Sequence, residues 1–133
     1  MELNTDAWVL LALAHAQGDR GQAAPYAMVI GAADAINADI LSPEEFEAAC
    51  GRLASVGLVS VESGDVVVTP AGLAIVESAR SQGTTMERVE RAIAGFPRQP
   101  GTWQVDRDAF SNGFDTYMQW VLKAIAQRDA SEA

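Results

Sequence analysis

The chain has 133 residues and a net charge of −9, with 49% hydrophobic and 20% charged residues, which excludes a disordered polymer and allows one domain with a real core. A single cysteine, Cys50, excludes an internal disulfide, and a single histidine, His15, excludes a histidine-based metal cluster or relay. The start Met-Glu-Leu-Asn lacks the positive region of a secretory signal, and the apolar run from Ala7 to Ala14 is too short to span a bilayer, so a cytoplasmic protein without membrane contact is expected.

The first helix is predicted from about Asp6 to Gln17. Asn4, Thr5 or Asp6 would cap it and Gly18 would stop it. Trp8, Val9, Leu10, Leu11 and Leu13 make it apolar nearly all round, so it should be enclosed by the rest of the fold. Residues 18–22 read as a turn. A second helix begins at Ala24-Pro25 and stops near Asn37, with proline in the first turn, where no amide partner is needed.

The third helix has the clearest punctuation. Ser42 caps it, Pro43 opens it, Glu45 completes a capping box, and Leu41 with Phe46 forms a hydrophobic staple. Phe46, Ala49, Cys50 and Leu53 then share one face, and Gly57 ends the helix. Two β-branched runs, Leu58–Val61 and Val66–Thr69, flank Glu62-Ser63-Gly64-Asp65 and predict a hairpin. A fourth helix follows Thr69-Pro70.

Beyond Arg80, Thr84 and Glu87 form a second capping box for a short helix through Val89 and Ile93. Residues 95–101 make an irregular connector with two prolines. Asp106 caps a last helix, with Val105 and Phe110 in staple positions, and Phe110, Phe114, Tyr117, Val121 and Ile125 recur at helical spacing. The fold class is therefore mainly α with a small β-hairpin, divided into residues 1–79 and a helical extension, 80–133, that packs on it, dimerises, or does both.

The helix Ser42–Val56, the run Gly57-Leu58-Val59 and the stretch Val67-Val68-Thr69-Pro70-Ala71-Gly72 resemble the corresponding elements of winged helix-turn-helix proteins such as the MarR- and PadR-like regulators. The resemblance covers roughly residues 6–79. It implies a winged-helix domain whose helix Ser42–Val56 would enter the DNA major groove, with the hairpin tip near the backbone or minor groove.

The charges oppose that use. Residues 1–79 carry eleven acidic side chains and two basic ones, Arg20 and Arg52, and the remainder is balanced, so this segment holds the entire net charge. Glu44, Glu45 and Glu47 occupy the start of the groove-reading helix, and the hairpin tip has no cation. Several carboxylates there face phosphates unfavourably, although a lone one can accept from cytosine. On a helical wheel, the face opposite the core stripe exposes Glu44, Ala48, Gly51 and Ser55, with Glu47 and Arg52 at its margins. Its small residues permit another helix to approach closely, and that helix could be the terminal helix of the same chain or of a partner.

The candidate interaction face is therefore Glu44, Glu47, Ala48, Gly51, Arg52 and Ser55. The candidate dimer helix carries Phe110, Phe114, Tyr117, Trp120, Val121 and Ile125, for which packing is preferred over a ligand pocket. Phosphate loops, dinucleotide fingerprints, nucleophile elbows and zinc spacings are absent from the sequence, so neither enzyme activity nor a cofactor or metal is expected. The leading expectation is a non-enzymatic regulatory module acting through protein–protein contact as a homodimer. The alternatives are a sequence-specific DNA-binding transcriptional regulator, using Arg20, Arg52 or arginines of the extension, and a small-molecule sensor with a pocket between the two segments.

Overall fold

The computed structural model describes residues 2–18, 21–62, 64–81, 83, 85–97, 99–101 and 103–132. The order is α1 (Glu2–Gln17), α2 (Tyr26–Asn37), α3 (Pro43–Ser55), β1 (Val59–Glu62), β2 (Asp65–Val68), α4 (Pro70–Arg80), α5 (Thr85–Ala94) and α6 (Arg107–Glu132). The chain is thus mainly helical with one two-stranded antiparallel sheet. Residues 6–79 hold three helices, a hairpin and a fourth helix in the expected order. Arg20, the Ser63 half of the hairpin turn and the Thr84 half of the second capping box lie outside the described residues.

α1 is the axis of the molecule and touches α2, α3, α4, α5 and β2. Every residue from Asp6 to Ala14 is buried, which is the fate expected of a helix apolar on all sides, while His15 is exposed. The Trp8 indole N–H finds the Ala33 carbonyl at 2.8 Å, so its burial leaves no orphaned donor. Gln17 ends the helix as a peptide mimic. Its Oε1 accepts the Val68 N–H at 2.8 Å and its amide nitrogen donates to the Val68 carbonyl at 3.4 Å, which satisfies one edge of β2.

One expectation for α1 is corrected. The helix starts at Glu2, and Asp6 lies inside it, buried, instead of capping its end. A carboxylate is tolerated there because Arg52 of α3 meets it, a long-range pairing that no local pattern reports.

The Ser42 cap forms as predicted, with Ser42 Oγ accepting the Glu45 N–H and Glu45 Oε1 accepting the Ser42 N–H, both at 3.1 Å. Leu41 and Phe46 are both buried. Thr69 caps α4 through the Gly72 N–H, and Asp106 caps α6 through the Ala109 N–H. The strands pair Val59 with Val68 and Glu62 with Asp65, so two acidic side chains stand opposite each other at the hairpin tip. Tyr26 ties that tip down by donating its hydroxyl to the Gly64 carbonyl at 3.1 Å.

Segments 1–79 and 80–133 share one core. Val89, Ile93, Val105 and Phe110 belong to the same buried cluster as Leu10, Phe46 and Leu53. α5 packs on α1 and α4, and α6 packs on α2. Glycines set the closeness of the α2–α6 contact: a Cβ on Gly113 would meet Tyr26 Cβ at 2.6 Å, and one on Gly31 would meet the Tyr117 ring at 3.1 Å.

Candidate functional site

The outer face of α3 is occupied, and its occupant is the linker between α5 and α6, not the terminal helix. Glu47 Oε2 accepts the Val105 N–H at 2.9 Å. Arg107, at the start of α6, donates to Glu44 Oε1 at 2.8 Å and reaches Glu47 Oε1 at 3.5 Å. The Ser55 hydroxyl donates to the Arg52 carbonyl at 2.7 Å and lies 3.3 Å from the Gln99 carbonyl. Between these anchors Gly51 lies against Gly101, where a Cβ on Gly51 would be 3.0 Å from the Gly101 Cα. Gly51 is therefore buried instead of exposed, and of the outward residues only Glu44, Ala48 and Ser55 remain exposed.

Trp103 completes the strap from below. Its ring packs edge-on to Phe46 with centroids 5.8 Å apart, and Tyr26 and Phe110 pack on the same Phe46 ring at 5.8 and 5.5 Å. Trp103 and Phe110 of the extension thus join the core through one phenyl group at the start of α3.

Arg52 leaves the candidate face altogether. Its guanidinium turns inward and forks onto Asp6, with Nε 3.0 Å from both carboxylate oxygens and Nη2 2.7 Å from Oδ1. The side chains are 16% and 4% exposed, so this is a buried pair joining α1 to α3. The sole cation of α3 is thus paired with a buried carboxylate instead of standing at the margin of the outer face, where the helical wheel places it.

The α6 residues divide by depth. Phe110 is buried, Phe114, Tyr117 and Val121 are half-buried, and Trp120 and Ile125 are exposed. The Tyr117 hydroxyl donates to Asp34 Oδ2 at 2.5 Å, which raises the phenol pKa, with burial and the Asp34 charge acting in the same direction. Burial likewise raises Tyr26, and it pushes the Cys50 thiol well up, so Cys50 is a protonated core residue and not a nucleophile. Glu44 is lowered, first by its own backbone N–H and then by Arg107.

Gln99, Gly101, Trp103, Val105 and Arg107 were not among the residues expected to meet the α3 face. A signal existed: a small-residue helix face calls for backbone at close range, and the linker supplies its own glycine.

Two concavities mark the surface, the first of them beside the start of α3. A 540 Å³ apolar groove runs between residues 40–43 and the first two turns of α6. A shallow 330 Å³ depression between α4 and α5 is lined by Ile75, Ser78, Arg88 and Arg91 among others. Among the described residues no group of three His, Cys, Asp or Glu side chains could hold a metal, and no helix is long and apolar enough to cross a membrane. No family model matches the chain, and neither does any curated protein or solved structure.

Proposed function

We propose that this chain is a non-enzymatic regulatory module of winged-helix type that works through protein–protein contacts as a homodimer. The observation that carries the reading is the strap across α3. A helix that reads a major groove must present a bare, hydrogen-bonding face to base edges. Here that face is acidic, and its Glu47, Gly51 and Ser55 are engaged by Val105, Gly101 and Gln99. The one arginine of the helix is held by Asp6. Both conditions of phosphate-driven binding, free cations and access, are therefore unmet at α3.

Titration of the full chain with duplex DNA at physiological salt tests the negative half of this reading. The expected result is weak binding without sequence dependence. A tight, sequence-dependent complex would overturn the proposal in favour of a transcriptional regulator. Sedimentation equilibrium tests the positive half, with a dimer expected at roughly 50 µM, a concentration at which regulatory dimers are commonly assembled.

A further inference from the structure

The second half of α6 is largely exposed among the described residues. α2 accompanies α6 at Gly113, beside Tyr26, and at Tyr117, beside Gly31 and Asp34. α2 then ends at Asn37 while α6 runs on to Glu132. At 1.5 Å per residue the overhang is about 20 Å long. From Gln119 to Ala130 every residue except half-buried Val121 is exposed, with Leu122 at 61% and Ile125 at 41%.

We infer that two copies of the chain join through an antiparallel α6–α6 seam centred on Met118, each overhang lying in the other's groove beside Ile40. This rests on the homodimer reading and specifies its geometry. The seam residues are Arg107, Ser111, Phe114, Met118, Leu122, Ile125 and Asp129. Their spacings are 4, 3, 4, 4, 3 and 4, which keep them on one helix face. The same series read backwards is identical. A two-fold interface requires that property, because wherever residue i meets residue j, j must also meet i.

In this register Met118 meets the partner's Met118 on the axis. Leu122, the most exposed large apolar side chain among the described residues, covers the partner's Phe114, and Ile125 enters the groove beside the partner's Ser111. Asp129 faces the partner's Arg107, a half-exposed guanidinium already paired with Glu44, and joins that pair as a further carboxylate at both ends of the seam. Charge also favours α6 as the meeting place of two copies. The chain carries −9, and two copies repel through residues 1–79, whereas Gln119–Ala130 holds Lys123, Arg128 and Asp129. Trp120 lies on the far side of the helix from this seam and takes no part in it.

The test uses the full chain with sedimentation equilibrium and disulfide trapping. Wild type is expected to be dimeric, and Leu122→Asp should raise the dissociation constant at least about tenfold, while Trp120→Ala leaves it unchanged. Met118→Cys should cross-link to itself on mild oxidation and Trp120→Cys should not; buried Cys50 does not interfere. A monomeric wild type at roughly 50 µM overturns the homodimer reading and the seam together. A dimeric wild type whose Leu122→Asp variant dimerises equally well overturns the seam alone. So does efficient self-cross-linking at Trp120→Cys without any at Met118→Cys.

Discussion

Gly51 of α3 and Gly101 of the following linker meet backbone to backbone, and a Cβ on Gly101 would overlap the Gly51 main chain. The contact joins the middle of the strap to the middle of the helix it covers, between the Glu47–Val105 bond at one end and the Ser55–Gln99 contact at the other.

Gly101→Val should therefore lift the strap. The overlap is with backbone, which cannot turn away as a side chain can, so a cost of about 1–3 kcal/mol is expected. Trp103 rides on the strap and would leave Phe46, giving a red shift in tryptophan emission. Denaturant melts and emission spectra check this. Unchanged spectra would show that the strap tolerates a Cβ there. DNA affinity should not rise in this variant, because the uncovered face presents Glu44 and Glu47 with fewer compensating donors.

Arg52→Ala should be among the most damaging single changes. It leaves the Asp6 carboxylate buried without its cation, for which about 3–5 kcal/mol is typical. Arg107→Ala breaks its exposed pair with Glu44 and its longer contact with Glu47, which solvent screens, so its loss should be far smaller. Urea midpoints of the two variants should separate clearly, with unchanged slopes. Equal losses would contradict the burial contrast.

Gln17→Leu should cost about 2 kcal/mol, since it strips both partners from the Val68 peptide groups in a buried setting. The apolar side chain adds hydrophobic burial but supplies neither a donor nor an acceptor. A stability gain, measured by thermal melting, would show that water replaces the amide without penalty.

Stability should fall at alkaline pH. The Tyr117 and Tyr26 phenols are held above their ordinary 10.0, and the Cys50 thiol above its ordinary 9.0. A raised pKa means that the folded chain keeps a proton the unfolded chain has already released, so stability declines as pH rises between the two values. These contributions are intact below the unfolded values and are lost as pH climbs through the folded ones. The melting temperature should therefore hold from neutral pH to about 9 and drop above it. Tyr117→Phe should lose about 1 kcal/mol at neutral pH and show a shallower alkaline decline. Identical declines in both proteins would remove Tyr117 from this behaviour.

The local signals were legible wherever a short stretch of chain satisfies its own backbone. Ser42-Pro43-x-Glu45, Thr69-Pro70 and Asp106 each cap a helix with a side chain no more than three residues from the amide it serves, so their spacing reports the structure directly. The enclosure of α1 was legible for another reason: a helix with apolar residues on every side has no face to offer water. The helices follow from those two kinds of evidence, and the hairpin from the two β-branched runs either side of Glu62–Asp65.

The α3 face was only half legible. Its composition, acidic with small residues, is written in the sequence, as is its need for a close neighbour. Which segment comes near is decided by partners far apart in the chain. Asp6 and Arg52 are 46 positions apart, and Glu47 and Val105 are 58 apart. No periodicity carries such information, because a carboxylate that caps a helix and one that is buried against an arginine are the same residue in the same pattern. Only the packing of α1 on α3, and of the linker on Gly51 through its own Gly101, fixed which of those roles each side chain takes.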